Sequence, residues 1–423
     1  MDFIAVLVPR LNDLLNFRPR SRTRKDPLQM DSNTPDTTIS PVRASANRFE
    51  TGKIVALSIC HFIHDAYSSF LAPLLPLLIE KLSLTLTQAG FLSTIMQLPA
   101  LLNPYLGTLA DRISVRYFII LAPGITAVSM SLIGLAPGYG VLLVLLLIAG
   151  ISVAIFHVPA PVMVSRLSGT KKGLGMSFFM TGGELARSLG PLAAVGAVSL
   201  LGMEGFYPVM IVGVLASGWL FLRFRDIPIR TETGQPTSVT RTWREMRHIL
   251  RPLSAILLFR GFMHASITAF LPTYINLETG NLWLAGIGLT VFEAAGVAGV
   301  LAAGSLSDRF GRRRILLMSL LGAPVSLFLF TALGGWFGFG ALVLVGFSLL
   351  STTPVMLALV QEHAGSSPSA ANGFFIMISF MARSAVVVVV GFIADQIGLR
   401  GTYFLSALLG LAGIPFVLKL PRE

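Results

Sequence analysis

From residue 51 onward, apolar residues run in stretches long enough to cross a bilayer, broken by short joints rich in charge, glycine or proline. A hydrocarbon core about 30 Å thick needs roughly 20 apolar residues of helix. Twelve such runs predict helices near 54–79, 88–110, 116–136, 140–164, 174–200, 206–224, 251–277, 284–306, 314–334, 337–361, 371–395 and 401–419. The pattern predicts an all-α membrane protein with twelve transmembrane helices, six on each side of a polar joint rich in Arg, Thr and Pro. The expected organisation is a disordered cytoplasmic tail at 1–50, a six-helix half at 51–224, a cytoplasmic linker at 225–250 and a second half at 251–423.

Composition agrees with that class. The chain is 54% hydrophobic and 12% charged, where a soluble domain carries roughly a quarter charged residues. A net charge of +12 raises the question of nucleic acid, which the distribution of the charges answers. With a cytoplasmic N-terminus, 27 of the 32 Lys and Arg fall on the cytoplasmic side; Lys81 and Arg400 lie opposite, and Arg187, Arg260 and Arg383 lie within spans. Basicity therefore reports orientation, both termini are expected in the cytoplasm, and no nucleic-acid partner is expected. The lone Cys60 excludes an internal disulfide and a thiolate metal cluster, and neither metal nor cofactor is expected.

The two halves repeat. "GTLADRISVR" at 107–116 matches "GSLSDRFGRR" at 304–313, "ARS" at 186–188 matches 382–384, and Phe62, His64, Phe70 and Leu71 match Phe262, His264, Phe270 and Leu271. Parallel six-helix repeats are a secondary-transporter architecture, with the substrate site near the midplane between them. The Gly-x-Leu-x-Asp-Arg-x-x-x-Arg loop, present in both halves, resembles the signature of the major facilitator superfamily over about residues 50–420. More narrowly, "HFIHDAYSSFLAPLLPLL", "IFHVPAP" and "GLGMSFFMTGG" followed by "SLGPL" look like the fosmidomycin resistance protein branch, a group of bacterial drug exporters. That resemblance implies the major facilitator fold, a multi-pass place in a bacterial inner membrane, and a latch role for Gly107, Asp111, Arg112, Arg116, Gly304, Asp308, Arg309 and Arg313. In that reading Gly107 and Gly304 admit close helix approach, and Asp111 and Asp308 cap a helix or pair with the neighbouring arginines.

Six ionisable side chains fall within predicted spans: Asp65, Glu184, Arg187, Arg260, Glu293 and Arg383. Each costs roughly 2.5–3.5 kcal/mol at a helix centre, so each should face a cavity or a partner. His61, His64, Asp65, Ser68 and Ser69 form one polar stripe on the first helix. Asp65, Glu184, His61, His64 and His157 are the candidates for proton coupling, since burial and neighbouring charge tune such groups. Arg187 and Arg383 occupy matching repeat positions and, with Arg260, His264 and Glu293, are the candidates for substrate binding; guanidinium forks favour carboxylate, phosphate or phosphonate oxygens. Structural ion pairing is the competing reading for all of them.

These features predict a proton-coupled secondary transporter that exports a small drug-like or anionic compound by alternating access, working as a monomer in the lipid bilayer. Uptake of an organic anion or phosphate ester is the transport alternative, and a non-transporting sensor the alternative from another class. No phosphate loop, Gly-x-Ser-x-Gly or His-Glu-x-x-His motif appears, so an enzyme is not expected.

Overall fold

The computed structural model describes residues 49–103, 116–169, 171–225, 239–363 and 368–421. The tail, most of the first signature loop with Gly107, Asp111 and Arg112, and 226–238 of the linker lie outside the described residues. The helices are α1 Thr51–Leu82, α2 Leu86–Leu102, α3 Arg116–Leu135, α4 Tyr139–Leu167, α5 Lys172–Leu201, α6 Tyr207–Phe224, α7 Val239–Thr279, α8 Leu282–Phe310, α9 Arg312–Leu333 and α10 Gly335–His363. A last helical stretch turns at Gly398, whose φ of 74° only glycine adopts without strain; this divides α11 (368–397) from α12 (399–417). Among the described residues twelve helices result, α-helical apart from short 3-10 turns at Leu98–Leu102, Ile133–Leu135 and Tyr207–Val209, and no strand occurs.

Prolines shape two of the helices that carry polar groups. In α1 the chain breaks between Ser68 and Leu71, where Pro73 has no N–H to give the carbonyl four residues earlier. In α4 the helix interrupts after His157, before Pro159 and Pro161, and so presents His157 at a break. The expected linker is partly helical: α7 already runs from Val239, because Met246, Ile249 and Leu250 bury an apolar face against α9, α10 and α12.

The cores show how the halves meet. At the end bearing Thr51 and the linker, each half has its own core, one around Leu57, Phe156 and Leu220, the other around Leu253, Leu316 and Leu359. At the far end a single core joins Leu74 and Leu78 of α1 to Phe270, Leu271 and Phe292 of the second half. Among the described residues, the halves therefore share one core at the far end and have separate cores at the linker end.

Far-end closure follows the repeat. A Cβ on Gly90 of α2 would sit 2.7 Å from the Val387 carbonyl oxygen of α11, and one on Gly286 of α8 would meet Val195 of α5 at 3.0 Å and the Pro191 oxygen at 3.6 Å. Gly90 and Gly286 are separated by the same 196 residues as Pro191 and Val387, so the two crossings are repeat-related. Lys81 fastens the first half there, donating to Glu204 and to the Gly134 carbonyl at 2.7 Å each. That hydrogen bond holds the exposed Glu204 carboxyl below its usual range.

Within the first half, α5 lies against α1 through Gly182, Gly183 and Gly190. A Cβ on Gly182 would fall 2.4 Å from the Ser58 carbonyl oxygen, a backbone contact that no rotamer relieves. Gly182→Ala is expected to cost roughly 1–3 kcal/mol by overpacking and to lower the thermal midpoint in detergent. Gly218→Ala, where a Cβ meets nothing within 4 Å, should leave it unchanged or raise it. Equal midpoints for the two variants would contradict this account of the α1–α5 contact.

Candidate functional site

The first polar cluster is built on α1, α4 and α5. His61 and Asp65 lie one turn apart on α1, and the break in α4 brings His157 beside them. His61 Nε2 is 3.1 Å from Asp65 Oδ2, His157 Nε2 is 3.3 Å from Asp65 Oδ1, and the two Nε2 atoms are 3.4 Å apart. The opposite ring nitrogens face backbone carbonyls: His61 Nδ1 is 2.8 Å from the Phe179 oxygen and His157 Nδ1 3.0 Å from the Val153 oxygen. Since a carbonyl only accepts, each Nδ1 carries a hydrogen. His61 and Asp65 are buried, whereas the His157 side chain is 36% exposed.

Packing fixes these orientations. Phe179 stacks on His61 with centroids 3.9 Å apart, and Gly183 leaves room for the ring, since a Cβ there would lie 2.7 Å from His61 Cε1. His64 stays outside the cluster. It packs on Phe156 at 4.4 Å between centroids, and neither ring nitrogen meets a side-chain partner among the described residues. Ser68 and Ser69 bond the carbonyls of Asp65 and Ala66 and so close the helix break.

The second cluster spans both halves. Arg260 on α7 is buried and donates to the Leu349 carbonyl from Nε and Nη2 at 3.2 and 3.0 Å, and to Thr353 Oγ1 at 3.2 Å. No carboxylate pairs with it among the described residues. Arg260, His264, Thr353, Phe375, Ser379 and Arg383 border a cavity of about 40 Å³. Arg383 on α11 makes no hydrogen bond or ion pair with any described residue; its nearest partner is the Phe380 ring, 5.4 Å from the guanidinium carbon. Arg187 on α5 forms an ion pair with Glu184 and is half exposed. Glu293 on α8 makes no ion pair among the described residues, yet Arg187, Glu184 and Arg383 all act on it electrostatically. Arg187 and Arg383 act on one another as well, but of the two only Arg383 borders the cavity.

The second signature loop differs from its expected pairing. Asp308 pairs with Arg312 at 2.5 Å, not with Arg309 or Arg313, because Arg312 is four residues along and also reaches Glu362 of α10 at 2.9 Å. Arg309 lies over the Phe310 ring and Arg116 over Tyr117. A Cβ on Gly304 would meet nothing within 4 Å, so among the described residues Gly304 is not a point of close helix approach.

Sequence reasoning missed the polar contact at the far end. Asp395 of α11 accepts from Leu86 N at 2.7 Å, Thr87 N at 2.9 Å and Thr87 Oγ1 at 2.5 Å, so a carboxylate of one half caps the first turn of α2 in the other. The available signal was an acid in the last turn of a helix, where the macrodipole disfavours it.

Comparison with known proteins matches this architecture. The sequence model of the Major Facilitator Superfamily matches residues 57–384 and 253–423. The fosmidomycin resistance protein of Escherichia coli is 27% identical over 386 residues, 89% of this chain and 95% of that protein. The MFS-type transporter YfnC of Bacillus subtilis is 26% identical over 398 residues, covering 90% and 93%. Among solved structures, a bacterial homologue of the human lysosomal transporter Spinster, inward-facing and occupied, superposes with a TM-score of 0.75 at 15% identity over 88% of this chain and 96% of that one. The nucleoside transporter NupG gives 0.70 at 14% identity, over 88% and 100%. Twelve helices in two repeated halves, joined at one end with charged side chains between them, and a family match across most of the length have one meaning: the chain belongs to the major facilitator superfamily of membrane transporters and resembles its fosmidomycin resistance branch.

Proposed function

We propose that this protein is a proton-coupled secondary transporter that exports a small organic compound carrying an anionic group. The observation that supports this most is Arg383. A guanidinium that makes no ion pair among the described residues, beside a second buried guanidinium and a histidine on a cavity, invites a carboxylate, phosphate or phosphonate. The Lys and Arg distribution puts the linker end in the cytoplasm, so this conformation opens to the cytoplasm, where an exporter loads. Export is favoured by the names of relatives, a fosmidomycin resistance protein and the multidrug resistance protein MdtG of Salmonella. Glu293, placed among Arg187, Glu184 and Arg383, is the carboxylate through which a proton alters the charge met by the substrate.

The same position of Glu293 favours a second reading. Protonating it frees arginine charge for an anion, so proton and anion would bind together and travel in one direction, as in uptake. Proteoliposomes with an imposed pH gradient and a panel of organic anions and cationic drugs separate the two: counterflow with protons supports export, co-movement supports uptake. In either case Glu293→Gln is expected to keep gradient-independent exchange and lose gradient-driven accumulation. Undiminished accumulation in that variant would remove Glu293 from the coupling.

A further inference from the structure

The hydrogens on the two imidazoles leave the His61–Asp65–His157 cluster short of positive charge. Each Nδ1–H is committed to a carbonyl, so each neutral ring turns a bare Nε2 lone pair inward. Those two lone pairs lie 3.4 Å apart, with the carboxylate astride them, one oxygen toward each nitrogen. Asp65 Oδ1 is buried, and among the described residues its near neighbour is His157 Nε2 at 3.3 Å. Three electron-rich groups facing one another at these distances suit a shared cation, either a proton on one Nε2 or a metal ion held by all three.

We infer that the cluster is a binding site for a divalent transition-metal ion of the Zn²⁺ class, held by His61 Nε2, His157 Nε2 and the Asp65 carboxylate. One ligand atom from each of the three residues can be chosen so that all lie within 4.8 Å of one another. Zinc–nitrogen bonds of about 2.0–2.1 Å at tetrahedral angles put two nitrogens about 3.3–3.4 Å apart, which is the spacing of the two Nε2 atoms. Two imidazoles and a carboxylate suit zinc rather than magnesium or calcium, which prefer all-oxygen sites. The outer contacts agree: ligating histidines donate the remaining N–H to a backbone carbonyl or carboxylate, fixing tautomer and ring orientation, and both rings do so here. Phe156 and Phe179 supply an apolar wall. Arg187 acts on Asp65 and His157 electrostatically, but its own charge is countered by Glu184. Three protein ligands leave a fourth position, and the partly exposed His157 marks where a water or a chelating oxygen enters. Ligands on both α1 and α4 would then pin these helices to each other inside the first half. The site is separate from the proposed anion site and does not depend on it.

The test is metal binding by the full-length, tag-free protein in detergent. After dialysis against Zn²⁺ and removal of excess, the wild type is expected to retain one Zn²⁺ per chain by mass spectrometry, and Co²⁺ should give the intense visible bands of a tetrahedral ion. His157→Ala and Asp65→Asn should each weaken binding by roughly 100-fold or more in chelator competition. His248→Ala, which alters the ring facing His363 at the linker end, should bind as the wild type does. His157 is the most exposed ligand, so its variant tests the site even where Asp65→Asn fails to give monodisperse protein. Absence of retained metal, an octahedral Co²⁺ spectrum, or unchanged affinity in His157→Ala would each overturn the assignment.

Discussion

Replacing Arg383 with Gln is expected to weaken binding of an anionic substrate by roughly 10- to 100-fold, since hydrogen bonds to charged groups contribute about 1.5–3 kcal/mol. The expectation rests on the contrast between two neighbouring guanidiniums. Arg260 spends its Nε and Nη2 on the Leu349 carbonyl and Thr353, holding α7 to α10, so Arg260→Gln should mainly lower the thermal midpoint. Arg383 holds nothing among the described residues, so its removal should leave the fold intact and show in affinity. Arg383→Lys keeps the charge and loses the fork, and should recover only part of the affinity. Isothermal titration with phosphonates and carboxylates, alongside thermal unfolding of each variant, separates these roles. Affinity in Arg383→Gln within twofold of wild type would end the case for an anion subsite at the cavity.

Much of this was legible in the sequence because membrane insertion imposes simple rules. Apolar runs of fixed length marked all twelve helices, and the Gly-x-Leu-x-Asp-Arg loop marked the repeat that reappears as the paired crossings at Gly90 and Gly286. The stripe on α1 identified His61 and Asp65, since a polar face on an apolar helix must meet something. It also included His64, which the structure places against Phe156: neighbouring residues on a helix differ in direction by about 100°, and only packing decides which of them reaches the partner. The closeness of His157 to Asp65 could not be derived by periodicity, because it depends on the break before Pro159 and on how α4 crosses α1. Arg187 and Glu184, three residues apart, satisfy each other locally, whereas Arg383 has Phe380 at the matching place and is unpaired among the described residues. The repeat thus gives one arginine a structural partner and leaves its counterpart free for chemistry. Asp395 escaped notice for a different reason: its partners, two backbone N–H groups and the Thr87 hydroxyl of α2, lie in the other half, and the acid in the last turn of α11 was its one local sign.

Far-end closure should fail in Gly391→Val, and with it transport. A Cβ at this position would fall 2.3 Å from the Leu86 carbonyl oxygen and 3.0 Å from Thr87 Cα. These are backbone atoms of the turn that Asp395 caps, so a rotamer change cannot relieve the clash. α11 must withdraw from α2, and withdrawal also breaks the bonds from Leu86 N, Thr87 N and Thr87 Oγ1 to Asp395. Overpacking at about 1–3 kcal/mol and loss of a helix cap at about 1 kcal/mol sum to on the order of 3 kcal/mol, a shift of more than a hundredfold between conformations. Asp395→Asn, which keeps the shape and removes the charge, should shift the balance in the same direction by less. Spin labels at Tyr207 and Leu277 report the far end, and labels at Leu222 and Phe310 the linker end, all on exposed positions. In Gly391→Val the first distance should lengthen and the second shorten, because opening at one end closes the other when two halves rock about a midplane site. Distances unchanged from wild type would mean that the α2–α11 crossing does not control which end is open. A far end that opens while the linker end stays apart would mean that the halves do not move as rigid units. Only the coupled change supports the Asp395 cap as the contact that the transport cycle must break.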